Sequence, residues 1–143
     1  MTVAIKRVYE RPSRADGARV LVDRLWPRGL SKQAAALDAW LKELAPSDEL
    51  RKWYHAHPLQ WEKFRARYLK ELSSEAASRA LLQLYEIRNS HEHVTLLFAS
   101  RNADRNNATV LQQLINGDRK PPTGTGPVRA ASAKRARAAA GRR

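Results

Sequence analysis

The sequence predicts an α/β fold in a single domain, with a small, partly parallel sheet of about three strands packed with about five helices. Segments 19–25 (RVLVDRL) and 93–100 (HVTLLFAS) carry apolar side chains on both faces, as do strands that helices cover on both sides. The chain between them has helical apolar periodicity, which makes the two strands parallel if they pair, with a right-handed crossover. A chain of 143 residues with 43% hydrophobic content is long enough for one core.

A further strand is predicted at 3–9 (VAIKRVY), where Lys6 and Arg7 interrupt the apolar positions and indicate partial exposure. Pro12 and Gly17 then mark a turn. The link to the next strand is too short for a usual parallel crossover. Spacing alone therefore favours a hairpin or an irregular connection.

Five amphipathic segments predict the helices. They lie at about 33–45, after Ser47 as N-cap, after Pro58, at about 75–89, and after residue 106, where Asn116-Gly117 predicts the end of the last helix. The predicted inward faces are Leu37, Trp40, Leu41 and Leu44; Leu50, Trp53 and Tyr54; Trp61, Phe64, Tyr68 and Leu72; Ala77, Leu81, Leu84 and Tyr85; and Ala108, Leu111, Leu114 and Ile115.

The charge of the chain favours anionic partners. Lysine and arginine number 27 against 14 acidic residues, for a net charge of +13, which is expected to attract phosphate-bearing molecules. The absence of cysteine excludes disulfides, thiolate nucleophiles and cysteine-ligated metals. The longest largely apolar run, 94–99, is far shorter than a membrane span. A soluble, cytoplasmic protein without membrane contact is predicted.

The composition changes at residue 118, which divides the chain into a domain at 1–117 and a basic C-terminal tail at 118–143. The tail is predicted to be disordered, because it buries too little apolar surface to offset the entropy of ordering. Its cations predict sequence-independent contact with a nucleic-acid backbone, and a solubilising tail with no dedicated partner is the alternative. The cations assigned to this contact are Arg129, Lys134, Arg135, Arg137, Arg142 and Arg143.

Both buried strands are followed by basic, polar turns. If the strands are parallel, these turns meet at the carboxyl ends of the strands, where ligands bind in such sheets, and guanidinium groups suit phosphate. We therefore predict a basic, tryptophan-lined cleft for a phosphate group or nucleotide. In it, Arg24, Arg28 and Lys32 hold the anion, Trp26 stacks on a planar group, Asn106 orients the ligand, and Arg51 and Arg101 add charge. The alternative is scaffolding, in which the arginines pair with internal acids and Trp26 caps the core.

A nucleophile or general base, if present, is expected at Asp23, which nearby cations would keep ionised, or at Ser100 beside Arg101. Neither has an orienting partner in the sequence, and a buried structural role is the alternative for Asp23. The two His-x-His pairs do not predict a metal site, because one lies at a helix end that points the rings apart and the other precedes a strand. No GxGxxG, P-loop or HExxH pattern occurs, and no metal or cofactor is predicted.

Three long blocks resemble the YeaO-like family, domain of unknown function 488. They are DGARVLVDRLWPRGLSK, KELAPSDELRKWYHAHPLQWEKFRARYLKEL and VTLLFASRNADRNNATVL, within a match over about 3–116. The resemblance implies a compact bacterial α/β domain and brings no established activity. The residues that match the family pattern are Asp23, Arg24, Trp26, Pro27, Arg28, Gly29, Lys32, Lys42, Ser47, Arg51, Trp53 and Asn106.

Two positions depart from that pattern. An acid is usual where His57 stands, and a lysine followed by an acid is usual where Arg101 and Asn102 stand. The resemblance therefore assigns no carboxylate role to the second turn. The basic tail lies outside the resemblance.

The leading functional hypothesis is a bacterial cytoplasmic protein that binds a phosphate-bearing small molecule at the carboxyl ends of its strands. One alternative is a non-catalytic nucleic-acid-binding protein that uses the basic domain and the tail together. Others are a hydrolase or transferase that uses Asp23, and an interaction module with no ligand. The sequence gives no signal for the oligomeric state.

Overall fold

The computed structural model describes residues 2–117, which form a four-stranded, wholly parallel sheet in the order β1-β4-β2-β3. The strands are β1 (Thr2–Arg7), β2 (Ala18–Leu21), β3 (Ala39–Trp40) and β4 (His93–Phe98). The predicted α/β class is confirmed, with four strands in place of about three, and so is the parallel pairing of the two buried strands. The predictions for the tail at 118–143 lie outside the described residues.

The connection from β1 to β2 is irregular, and the hairpin alternative is wrong. β1 and β2 do not pair with each other, because β4 lies between them. A short 3-10 turn, Arg14–Asp16, and Gly17 with φ +64 reverse the chain. The Thr95 hydroxyl of β4 donates a hydrogen bond to the Asp16 carbonyl at 2.7 Å and holds this link on the sheet.

Five helices pack with the sheet: α1 (Lys32–Ala35), α2 (Asp48–Ala56), α3 (Trp61–Glu71), α4 (Glu75–Ser90) and α5 (Asn107–Ile115). Ser47, Ser74 and Asn106 accept hydrogen bonds from the first turns of α2, α4 and α5 as N-caps. These three helices and α3 confirm the predictions, although α3 begins at Trp61, beyond Pro58. The predicted stop after α5 is seen at Gly117, which has φ +90.

The predicted helix at 33–45 is wrong. Helix α1 ends at Ala35, the next residue, Ala36, has a left-handed φ of +49, and β3 follows after Leu37 and Asp38. The Asp38 carboxylate accepts the Arg19 backbone N–H at 2.8 Å, and the Asp38 N–H donates to the Arg19 carbonyl. Asp38 thus bonds to the side of β2 that faces away from β4. These bonds take the place of those that a continuous helix over 33–45 would form.

The main core lies between one face of the sheet and helices α2 to α5. Phe64 and Tyr68 of α3 and Leu72, which directly follows that helix, are buried there as predicted. The Tyr68 hydroxyl is fully buried and donates a hydrogen bond to the Leu44 carbonyl. This bond ties α3 to the 3-10 turn Lys42–Leu44 that follows β3.

The second face of the sheet is covered by less of the chain than a layer of helices would provide. Val8, Leu21 and Leu97 are buried there beneath Trp26 and Trp40, with Leu30, Leu37 and Ala99 packed around them. The sequence predicted helices on both faces, but loops and two indoles supply this cover. Helices therefore lie mainly on one side.

A buried ion cluster holds the β1–β2 link. Asp16 accepts hydrogen bonds from the Ser13 N–H at 2.9 Å, Lys6 Nζ at 3.0 Å and Arg19 Nη1 at 2.5 Å. Arg19 is 4% exposed, and its other guanidinium donors bond to the Ala35 and Ala36 carbonyls. Every charge in the cluster is therefore paired within the fold.

Candidate functional site

The two predicted turns lie side by side at one end of the sheet. We call this region the carboxyl edge and define it as loops 22–31 and 99–106 with the adjoining strand ends. Asp23 joins the loops: its Oδ2 accepts the Ala99 N–H at 2.8 Å, and its Oδ1 accepts Asn107 Nδ2 at 3.1 Å. Asn107 also donates to the Val22 carbonyl at 2.9 Å, a contact that the sequence analysis missed. The two basic loops are thus joined at the same edge of the sheet.

Opposing effects act on the ionisation of Asp23. Burial raises the pKa of Asp23 above its usual value, while hydrogen bonds from Ala99 and Asn107 and the charge of Arg51 act in the opposite direction. The cations favour the ionised form as expected, but desolvation is the larger effect. The two hydrogen bonds match the alternative in which this carboxylate has a structural role.

Asp23→Asn is expected to lower the free energy of unfolding by about 1 to 3 kcal/mol, because an amide has one acceptor oxygen for two donors and leaves one unsatisfied. Urea denaturation measures the change. Asp104→Asn is the control, since that exposed acid of the same loop uses only backbone atoms in its hydrogen bonds, and a change below about 0.5 kcal/mol is expected. A more stable Asp23→Asn protein would show that the charge costs more than its bonds contribute.

Arg24 lies at the edge with incomplete hydrogen bonding. Its Nη2 donates to the Ala45 carbonyl at 3.3 Å, while its Nε is buried and has no partner within residues 2–117. A buried donor without a partner is costly. The Nε of Arg88 is buried without a partner in the same way, and because Arg24 Nε is enclosed by the protein, a ligand would have to approach the terminal nitrogens of the Arg24 guanidinium.

Arg28 lies in an open part of the loop. Its carbonyl accepts the Tyr9 hydroxyl at 2.9 Å, and its side chain is exposed. Gly29 has φ +77, with no heavy atom within 4 Å of the position that a Cβ would occupy. The backbone is therefore accessible to a ligand at this turn.

The sequence analysis missed Arg7 as a residue of this edge. Its Nε donates to the Ser100 carbonyl at 3.0 Å and its Nη2 to the Ala99 carbonyl at 3.2 Å, while its guanidinium carbon lies 5.3 Å from the Tyr9 ring centroid. Arg7 was interpreted only as an interruption of a strand. Its position at the end of β1, parallel to β4, is the signal that places it here.

Trp26 packs against the second face of the sheet. Its Nε1 donates to the Leu30 carbonyl at 2.6 Å, and its ring meets Trp40 edge-on at 5.4 Å. Trp40 in turn donates its Nε1 to the Asp23 carbonyl at 2.7 Å. These contacts match the alternative in which Trp26 caps the core, and ligand stacking stays a prediction.

Loop 99–106 is held by its own polar residues. The Ser100 hydroxyl accepts the Asn102 N–H at 3.1 Å, and the Asn102 side chain accepts the Arg105 N–H at 3.0 Å. Asn106 is 3% exposed; its Nδ2 donates to the Asn102 carbonyl, and its Oδ1 accepts the Thr109 N–H. Asn106 therefore holds the conformation of the loop. The Arg101 side chain is exposed and forms no hydrogen bond with the rest of residues 2–117.

The remaining candidates surround the two loops. Arg51 of α2 lies 3.5 Å from Asp48, in a pair whose side chains are about half exposed and hence weakly coupled. Lys42 Nζ lies 4.3 Å from the Trp40 ring centroid. Lys32 begins α1 and is exposed, and Trp53 contacts Arg67 and His57.

The cations of the two loops and Lys32 form no ion pairs with acids within residues 2–117. Four ion pairs occur within residues 2–117: Lys6–Asp16, Arg19–Asp16, Arg51–Asp48 and Arg79–Glu75. None involves Arg24, Arg28, Lys32 or Arg101. In the described part of the chain, these four cations are not ion-paired scaffolding.

The described part of the chain has neither a metal-ligand cluster nor a membrane-spanning helix. Between residues 2 and 117, no three His, Cys, Asp or Glu side chains are grouped as metal ligands. No helix in the same range combines the length and apolar content needed to cross a membrane.

The fold and the edge together define a class, the small parallel α/β domains that present cationic loops at the carboxyl ends of their strands. The chain belongs to the YeaO-like bacterial family of unknown function, and the matching family model, which covers residues 2–129, is described as "Inactive DUF488-N3 subclade". The resemblance noted in the sequence is therefore confirmed.

Two relatives show the extent of the similarity. The chain is 44% identical over 115 residues to the uncharacterized protein Rv3073c of Mycobacterium tuberculosis (strain H37Rv), a match that covers 80% of this chain and 94% of the relative. It is 42% identical over 112 residues to the uncharacterized protein YeaO of Escherichia coli (strain K12), with 78% and 94% covered. Among solved structures, none matches the chain.

Proposed function

We propose that this protein binds a phosphate-bearing ligand at the carboxyl edge, with Arg24, Arg28 and Arg101 as the principal cations. The observation that carries the proposal is the bridge from Asp23 to Ala99 and Asn107, which brings both loops to one edge. Parallel α/β sheets bind ligands at such edges.

The state of the cations supports an anionic ligand. Arg28 and Arg101 are exposed and have no acidic partner among residues 2–117. Arg24 also has no acidic partner in this range. A phosphate oxygen near these groups would form charge-assisted hydrogen bonds, which are about twice as strong as neutral ones.

Binding rather than catalysis is favoured by the contacts of the two catalytic candidates. Both carboxylate oxygens of Asp23 already accept hydrogen bonds from the protein, and the Ser100 hydroxyl accepts one from its own loop. The description of the family as inactive agrees with this assignment. The proposal therefore includes no reaction step.

Arg28→Ala is expected to weaken the binding of pyrophosphate and adenosine triphosphate by tenfold or more, because a hydrogen bond to a charged group contributes roughly 1.5 to 3 kcal/mol. Isothermal titration calorimetry of the full chain measures both affinities. Arg79→Ala is the matched control, since it removes an exposed arginine that Glu75 already pairs at 2.8 Å. Equal affinities for wild type and Arg28→Ala, or no binding by the wild type, would overturn the proposal.

A further inference from the structure

A stripe of three cations runs along the outer face of α3. Lys63, Arg67 and Lys70 recur at i, i+4 and i+7, which places them on one helix face, and all three are exposed. With a rise of 1.5 Å per residue, the stripe is about 10.5 Å long. Over that distance, one strand stacked as in a duplex presents about three phosphates.

Acids do not neutralise this stripe. Glu71 lies four residues after Arg67, at ion-pair spacing, but its carboxylate accepts the Ser47 N–H at 2.8 Å and the Ser47 hydroxyl at 2.6 Å. None of the ion pairs within residues 2–117 includes a cation of the stripe. Helix α4 differs, because its Arg79 is paired with Glu75.

Aromatic rings lie beside the stripe. The Arg67 guanidinium carbon is 4.4 Å from the Trp53 ring centroid, and the His57 ring stacks on Trp53 at 4.9 Å with an interplanar angle of 22°. A guanidinium that stacks on an indole keeps its in-plane N–H donors available for phosphate. His57 is exposed, and its Nδ1 lies 2.8 Å from the Trp53 carbonyl, which holds the ring in place.

The stripe continues beyond the start of α3. Lys63 lines an open depression together with Arg105 of the β4–α5 loop, Leu59 and one acid, Glu62, which forms no ion pair within residues 2–117. Leu59 is 93% exposed, so apolar surface lies next to the cations. The basic track therefore extends from Lys70 to Arg105.

We propose that this track binds single-stranded nucleic acid, with Lys63, Arg67, Lys70 and Arg105 along the phosphates and a base stacked on His57. Cations beside aromatic rings are the means by which single strands are bound without sequence preference. The net charge of +13 favours such a polyanion. Arg105 belongs to loop 99–106 of the carboxyl edge, but the other residues of this surface lie outside that edge, and the proposal does not depend on anion binding by Arg24, Arg28 and Arg101.

The test compares two triple variants of the full chain that lose the same charge. Binding of a labelled oligothymidylate of about 20 nucleotides is followed by fluorescence anisotropy at several salt concentrations. In Lys63→Gln/Arg67→Gln/Lys70→Gln, the slope of log K against log salt is expected to fall by about 2, since each phosphate contact on a single strand contributes about 0.7. The control Arg11→Gln/Arg14→Gln/Arg79→Gln removes three exposed cations elsewhere and is expected to keep the wild-type slope.

His57→Ala separates stacking from charge. Affinity is expected to fall about fivefold or more with the salt slope unchanged, because loss of stacking releases no counterions. Circular dichroism melts show whether each variant is folded. Equal slope changes in the two triple variants would show only a long-range effect of net charge and overturn the proposal, as would tighter binding of a duplex of the same length.

Discussion

Gly17→Ala is expected to lower the free energy of unfolding by about 2 to 6 kcal/mol, the sum of backbone strain and overpacking. Gly17 has φ +64 and ψ −136, a conformation that other residues rarely adopt. An added Cβ would lie 2.1 Å from the carbonyl oxygen of His93 and 2.6 Å from its carbonyl carbon. Both atoms belong to the backbone of β4, the strand that pairs with β1 and β2. The clash can therefore be removed only if the sheet shifts.

Gly29→Ala is the control for this clash, because it shares the positive φ but not the contact. Gly29 has φ +77 and no heavy atom within 4 Å of its Cβ position. Strain alone predicts a loss of about 1 to 2 kcal/mol. Urea denaturation of the two variants measures the difference, and equal losses would show that β4 yields easily to the new methyl group.

Asp16→Ala is expected to cost about 3 to 5 kcal/mol, because removal of one partner leaves a buried charge unpaired. Arg19 is 4% exposed and has no other carboxylate partner among the described ion pairs. Asp48→Ala is the control, since Asp48 pairs with Arg51 at 3.5 Å on the surface, and a cost below about 1 kcal/mol is expected. Equal costs in urea denaturation would show that solvent reaches Arg19 without difficulty.

The same cluster gives a pH dependence with a defined sign. Burial acts to raise the pKa of Asp16, but hydrogen bonds from Ser13, Lys6 and Arg19 outweigh it and lower the pKa below the usual 3.8. The unfolded chain then binds the proton more readily. The stabilisation from Asp16 is therefore complete above the usual pKa and is lost as pH falls through the lower folded-state pKa. Asp16→Asn removes this acid dependence, whereas Asp23, whose pKa is raised, acts in the opposite sense.

The parallel pairing and the position of the edge were predictable because they depend on local pattern. Strands with apolar residues on both faces indicate the interior of a sheet, and a helical connection makes them parallel. The strand pattern alone therefore predicts that the two basic turns lie at one edge. The contacts of Asp23 with Ala99 and Asn107 were not predictable, because residues about 80 positions apart meet only in the folded chain.

The failure at 33–45 has a specific physical cause. Leu37, Trp40, Leu41 and Leu44 have helical spacing, but they are divided between the two faces of the sheet. Trp40 packs on the second face, whereas Leu41 is buried in the main core, as alternation along an extended chain requires. Periodicity does not distinguish these two arrangements in so short a segment. Pairing of β3 with β2 decides between them.

The place of β4 in the sheet has a consequence for biosynthesis. Of the strands within residues 2–117, β4 is the last to leave the ribosome, yet β1 and β2 both pair with it. β1 must therefore wait unpaired until roughly the first hundred residues have been made, at about 5 to 20 residues per second, while β2 can pair only with the two-residue strand β3. Such long-range pairing gives a high contact order and slow folding, and a nascent chain arrested before β4 can form only the short β2–β3 pair.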